Sequence, residues 1–269
     1  MSIVNRDGVI NALGNNNSAL LFDKQPLLNM VSGQLASLWR STGLPAQGAI
    51  PAAAAVCTSA LTGALPFVNQ ALPVLAYLGQ LWYVNTRSTT GVELHDRLAH
   101  TGGLSGVVTT AQGALPLTGL SADRLGPANF SEAQWWLEWY TDSGATAANA
   151  TVNVTYDDSS TGNLAAVALG TTVRAGRLFP LRSNVAGRYI RAVNSVTLSA
   201  STGTAGNFGI TATRARTAFN GAAANKIENF DWAALGIPKI DNDACLTFVT
   251  TCSGSDTGTV RGGGKIIYG

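Results

Sequence analysis

The residues that could do chemistry are few, and their spacing decides what each could do. His95 and His100 are the chain's two histidines, in the run His95-Asp96-Arg97-Leu98-Ala99-His100. A zinc site could use both rings with Asp96. A spacing of five does not share one helix face, and on a strand it sends the rings to opposite sides. Structural polar contacts are therefore expected, with no metal site. A Ser-His-Asp triad needs a nucleophile on a strained turn. Gly-x-Ser-x-Gly is missing, Gly103-Leu104-Ser105-Gly106 failing by one position. Cys57 with a histidine could form a thiol nucleophile, but it sits in an Ala-rich run, and apolar surroundings raise a thiol pKa. It is expected to be structural.

Gly262-Gly263-Gly264-Lys265 looks like a phosphate loop until its flanks are checked. Thr259 stands where the first Gly is required, and Ile266 replaces the magnesium-binding Ser/Thr. The expected use is a bulge or a close backbone approach. Asp157-Asp158 and Asp241-Asn242-Asp243 are paired carboxylates in loops. The second opens like a calcium loop but lacks the Gly at the sixth position and the Glu at the twelfth, so turn chemistry is expected. Cys57, Cys245 and Cys252 are an odd number of cysteines. Seven residues apart on one strand, Cys245 and Cys252 would face opposite sides roughly 23 Å apart, beyond disulfide reach. Three buried thiols are expected, the alternative being a bond from Cys57 to one of the others or to another chain. No catalytic residue and no cofactor follow from these patterns; the expectation is a protein that is not an enzyme.

The elements that must hold these residues read mainly as strands. The chain has 269 residues, 46% of them hydrophobic and only 12% charged, with a net charge of +2. The polar surface must then come from Thr, Ser, Asn and Gly, which lose little entropy when ordered. Such a surface suits a protein packed against neighbours. The basic residues are scattered, so nucleic acid is not an expected partner. Met1–Gly14 lacks the apolar core of a signal peptide. Ala49–Val84 is broken by Pro51, Pro66 and Pro73 and holds no membrane-length apolar span. Without a secretory signal, the Asn-x-Ser/Thr triplets at Asn129, Asn149 and Asn153 carry no message.

One helix is expected over Gln25–Arg40, where Leu27, Val31, Leu35 and Leu38 follow helical spacing, Pro26 fits the first turn, and Gly43 and Pro45 stop it. Before it, Met1–Asn17 reads as an extended arm or a short helix. Leu44–Pro73 reads as an extended segment over a surface. Strands are expected at Tyr77–Asn85, Val92–Leu98, Ser105–Thr110, Ser131–Tyr140, Ala150–Tyr156, Asn163–Leu169 (pairing back on the previous one), Arg188–Ala200 with Phe208–Arg214 returning against it, and a last hairpin of Ala244–Thr251 with Thr259–Ile267. In Ser131–Tyr140, Trp135, Leu137 and Trp139 share one face, and Trp136, Glu138 and Tyr140 the other. Aromatics on both faces predict a central strand in the core or at a subunit interface, with a sugar platform as the alternative. Short strands separated by turns every 8 to 12 residues predict an antiparallel β-sandwich or jelly-roll-like body. Residues 1–75 would form the arm, helix and Pro/Ala-rich segment, and residues 76–269 the body.

Six blocks carry a resemblance: Met1–Leu13 (MSIVNRDGVINAL), Gly48–Cys57 (GAIPAAAAVC), His95–Leu104 (HDRLAHTGGL), Trp135–Asp142 (WWLEWYTD), Ser195–Gly206 (SVTLSASTGTAG) and Asp231–Pro238 (DWAALGIP). Together they resemble a group of tailed-bacteriophage virion structural proteins. The resemblance implies a capsid decoration, or cement, protein made in the host cytoplasm and placed on the capsid surface, and it carries over no active-site residue. The implied partners are the major capsid protein and further copies of the chain, as a homotrimer, with no membrane. Val4 and Val9 in the arm, Ile50 and Pro51 in the Pro/Ala-rich segment, and Trp136 and Tyr140 in the aromatic strand are the interface candidates. A tail tube, head-tail connector or fibre component is the first alternative, and a glycan-binding adsorption module the second.

Overall fold

A computed structural model describes residues 3–27, 32–88, 90–254 and 258–269. The strands are β1 (Asn17–Gln25), β2 (Leu35–Ser37), β3 (Thr42–Leu44), β4 (Ala55–Val56), β5 (Ala76–Asn85), β6 (Thr90–His100), β7 (Leu115–Pro116), β8 (Ala133–Thr141) and β9 (Ala148–Tyr156). They continue with β10 (Thr161–Asn163), β11 (Val167–Gly170), β12 (Arg177–Leu181), β13 (Ile190–Leu198), β14 (Asn207–Asn220), β15 (Glu228–Asp231), β16 (Lys239–Ile240), β17 (Leu246–Cys252) and β18 (Val260–Tyr268). The helices among the described residues are α1 (Arg6–Asn15), α2 (Ala122–Leu125) and α3 (Trp232–Leu235). None is long and apolar enough to cross a membrane. The molecule is mainly β and antiparallel throughout, as the alternating segments predict.

Its centre is a closed sheet. The strands run β14–β8–β12–β2–β17–β6, and β6 pairs back onto β14 to complete the cycle. Closure removes the free edges that would otherwise invite foreign strands. Two flanking sheets cover the outside of this barrel. In one, β3–β1–β18–β5–β15 is the order. Its Leu20, Phe22, Leu78, Leu81 and Ile266 pack on Val92, Leu94, Phe219, Leu246 and Phe248 of the barrel. In the other, β9 and β13 are central. Their Val152, Val154, Val193 and Val196 pack on Leu98, Trp135, Leu137, Trp139, Phe208 and Ile210. Where the strands are regular, as at Val152 and Val154 or Leu20 and Phe22, alternate residues face the cluster, and register shifts change that spacing, as between Val193 and Val196.

Several expectations need correction. The predicted helix over Gln25–Arg40 is not seen: Gln25 ends β1, Leu35–Ser37 is β2, and Leu38–Arg40 turn, while residues 28–31 lie outside the described residues. The apolar residues there do not form one stripe. Leu35 packs beside Trp136, Leu38 beside Phe22 and Trp39 beside Cys57. β2 closes the barrel by pairing with both β12 and β17, and that tertiary pairing overrides a weak local propensity. The helix that does form is α1, capped by Asn5, whose side chain accepts from Gly8 N at 2.9 Å.

The division at residue 75 does not separate an arm from a body, since β1 lies inside a flanking sheet, paired along its length with β18. Ser105–Thr110 forms no strand; Leu104 alone bridges to Phe208. Neither expected late hairpin exists. β13 pairs with β9 and β7 while β14 pairs with β8 and β6, and β17 lies in the barrel while β18 lies between β1 and β5. Turn residues fix where a chain reverses, but in a layered β protein the chain often returns to a different sheet. The Asn163–Leu169 return onto β9 is present, in two pieces.

Candidate functional site

The residues with the most chemical capacity meet inside the barrel. Extra residues in β6 and β14 put them there. Ala99 and Arg97 oppose the consecutive residues Ala212 and Thr213, leaving Leu98 as an added residue of β6; Arg216 is added in the same way on β14. A bulge of one residue flips the facing beyond it. His95 and Arg97 point inward, Leu98 and Ala99 both face the outer apolar cluster, and His100 points inward again. The parity argument that places His95 and His100 on opposite faces therefore fails, and the bulge is what undoes it.

Within the barrel, Arg97 is the hub. Its Nη2 lies 2.7 Å from Glu138 Oε2 and donates to Tyr140 Oη at 3.0 Å and Thr211 Oγ1 at 3.1 Å, while Nε donates to His100 Nδ1 at 3.0 Å. Thr211 donates to Glu138 at 2.5 Å. Its guanidinium also sits over the Trp39 ring. Arg97 and Glu138 are both wholly buried. Burial alone would favour the neutral forms. The opposite charge outweighs it, raising the Arg97 pKa and, with the hydrogen bonds, lowering that of Glu138. Burial and the Glu138 charge push the Tyr140 phenol up.

His95 sits one step along. Its ring contacts Thr213 Oγ1 at 3.0 Å and Glu93 Oε2 at 2.8 Å, and Trp136 Nε1 donates to the same Thr213 oxygen at 2.8 Å. The hydrogen bond to His95 is the main reason the Glu93 carboxyl lies below its ordinary range, burial acting against it. Trp136 closes this end of the barrel with Leu178 and Val249. Outside it lies a cleft of about 470 Å³ whose lining includes Glu93, Gln134, Trp136, Arg182 and Tyr189.

A second ionic group crosses the outside of the barrel between the two apolar layers. Arg124, on Ser121-capped α2, grips both Asp96 oxygens at 2.6 and 2.9 Å. Arg216, the bulged residue, reaches Asp241 at 2.6 Å and Asp96 at 3.4 Å. Lys239 bridges Asp241 and Asp123, each at 3.0 Å. The first carboxylate of the Asp241-Asn242-Asp243 turn thus joins this seam. Among the described residues, no group of three or more His, Cys, Asp or Glu is placed to hold a metal ion. The glycine run lies in β18, where a Cβ on Gly262 or Gly264 would strike the backbone of Trp82 or Gln80. That is the expected close approach.

The candidate residues scatter. Val4 is 80% exposed, Val9 is on the buried face of α1 beside Ile267, Pro51 is buried and Ile50 half-buried. Tyr140 lies inside the barrel at 2% exposure, out of reach of another chain or a sugar, and Trp136, at 6% exposure, contributes to the cleft lining but is too covered to offer its ring face. Cys57, Cys245 and Cys252 are three buried thiols, as expected, but the surroundings of Cys57 differ from its sequence reading. It lies against Cys245, Tyr140 and Trp39, and its thiol is pulled down although burial pushes it up, because Cys245, His100 and Arg97 outweigh burial. Cys245 and Cys252 do face different clusters, as their separation predicts. Sequence reasoning missed Arg97, Asp96, Arg124, Arg216 and Glu138 as partners. Isolated charges inside alternating apolar segments were the available signal.

No protein-family model matches the chain, and no curated protein matches it. Among solved structures, it is similar to T=1 particles derived from infectious bursal virus, at 10% identity and a TM-score of 0.18, over 97% of this chain and 82% of that one. It is also similar to the VP2 subviral particle of infectious bursal disease virus, at 10% identity and a TM-score of 0.19, over 97% and 85%. Likenesses that distant carry no argument about what this chain does.

Proposed function

We propose that the chain is a non-enzymatic virion structural protein that binds the outer capsid lattice and stabilises the shell as a decoration protein. The observation that carries the reading is where polar and apolar groups lie. The groups with most chemical capacity link strands within the barrel, while the two most exposed large apolar side chains among the described residues, Val4 and Leu72, lie on two segments that meet at Tyr268. Val4 and Ile10 are 80% and 57% exposed around α1, and Val68 and Leu72 are 57% and 81% exposed in the Pro-rich segment. Both segments converge on Tyr268, whose N donates to Asn16 O at 2.9 Å, whose O accepts from the Asn16 side-chain amide at 2.7 Å, and whose hydroxyl meets Ser18 at 2.5 Å and Val68 N at 3.4 Å. A lattice multiplies such modest contacts into strong attachment, the more so for a homotrimer.

The test is to add purified protein to bare shells of the major capsid protein and sediment them. Co-sedimentation is expected, with binding reduced at least tenfold by Val68→Asp with Leu72→Asp while the melting temperature stays unchanged. Rings in negative stain with no shell binding would overturn the reading in favour of a tail tube. The cleft beside Trp136 and Tyr189 favours one second reading, a glycan-binding module; glycan-array binding lost in Tyr189→Ala would support it.

A further inference from the structure

Cys57 and Cys245 are brought together by two short strands that share one edge of β6. Ala55 opposes His100 and Val56 opposes Ala99, and Cys57 N donates to Leu98 O at 3.0 Å. The next place on that edge belongs to Cys245, whose carbonyl accepts from Arg97 N at 2.8 Å, followed by Leu246 opposite Asp96. The two cysteines therefore hold consecutive positions where β4 and β17 meet end to end, with no peptide bond joining them. Their side chains lie in one buried cluster with Trp39 and Tyr140, and neither is solvent-exposed. Arg124 and Asp96 fix both backbones. Arg124 Nη1 donates to Cys57 O at 2.8 Å, and Asp96 Oδ1 accepts from Cys245 N at 2.9 Å.

We propose that Cys57 and Cys245 are a redox pair, which a peroxide converts to an intramolecular disulfide that closes the gap between β4 and β17. Burial restricts the oxidant to a small one. The Cys57 sulfur, as thiolate, attacks one peroxide oxygen; the O–O bond breaks, Cys57 becomes a sulfenic acid, and hydroxide leaves and takes up the proton Cys57 lost. The Cys245 sulfur then attacks the Cys57 sulfur. The S–S bond forms, the S–O bond breaks, and the departing hydroxide carries away the Cys245 proton as water. Two thiols lose two electrons and two protons, and hydrogen peroxide becomes two waters. Cys57 is the attacking sulfur because its neighbours favour its thiolate, while its hydrogen bond and charge, with burial, push Cys245 up. Cys252 lies at the far end of β17 beside Ala36 and takes no part.

The wild-type protein, reduced and then treated with hydrogen peroxide, is the test. Expected is the loss of two hydrogens in the intact mass, a non-reducing peptide map linking Cys57 to Cys245, and a melting temperature raised on the order of 10 °C, since the bond closes a very long loop. A thiol reductant should reverse all three, and Cys252→Ser should change none. In Cys245→Ala, peroxide should leave a Cys57 sulfenic acid that dimedone traps, and wild type should trap far less. A link to Cys252 or between chains would overturn the proposal. So would Cys57 driven to sulfinic acid while Cys245 still alkylates.

Discussion

The outer and inner faces of the barrel bury the same strands under different rules. On the outer face of β8, Trp135, Leu137 and Trp139 meet Phe208, Ile210 and Ala212 of β14 and the valines of β9 and β13. On the inner face, Trp136, Glu138 and Tyr140 meet Arg97, Thr211 and Thr213. Apolar burial is non-directional and scales with area. A buried charge needs a partner at one place. The difference teaches that the outside supplies most of the stability and the inside fixes the register. Sliding β6 by one residue along β14 would place Arg97 in the apolar layer and strip Glu138 of its cation.

The comparison breaks most sharply at Arg97. Arg97→Met leaves Glu138 charged and buried without its cation, and unfolding in urea should show a loss of about 4 kcal/mol. Adding Glu138→Leu should restore most of it, because removing both charges of a buried pair is far milder than removing one. A double variant as unstable as the two single losses summed would mean that the inner face does not work as a pair. The outer face should behave otherwise. Leu137→Ala should cost about 3 kcal/mol through the cavity it leaves. Combined with Arg97→Met, it should add to within about 0.5 kcal/mol, since the two side chains share no partner.

The sequence made the fold class legible because alternation is a local signal: Val152 and Val154 against Thr151 and Asn153 needs only neighbouring residues. The two faces of Ser131–Tyr140 were readable for the same reason, and the structure buries both. Pairing was not legible. β17 and β18 are adjacent in the chain yet enter different sheets, and β2 is a strand only because β12 and β17 offer it unpaired backbone. The site failed at single residues. Leu98 looks like an ordinary strand residue, but as a bulge it brings His95, Arg97 and His100 to one face. Cys57 reads as apolar from its alanine neighbours, whereas its actual neighbours, His100, Arg97 and Cys245, arrive from other strands.

Lys24 sharpens the pairing half of the comparison, and with the smallest effect. It is buried in β1 at 2% exposure. Its ammonium donates to the carbonyl oxygens of Ser41 and Pro45, each at 2.8 Å, where Arg97 has a carboxylate. Carbonyl dipoles do not repay the lost hydration as a full opposite charge does, and burial lowers the Lys24 pKa from 10.5 to about 8. The folded state therefore releases this proton before the unfolded state does. Between about pH 8 and 10.5 the unfolded chain binds more protons, so stability from this group rises with pH across that window. Below it the burial penalty is fully present. Lys24→Met should remove the penalty and flatten the rise, seen as the difference in urea midpoint between the two proteins at pH 7.5 and at pH 10. Equal differences at both pH values would show that two carbonyls hold a buried cation as well as Glu138 does.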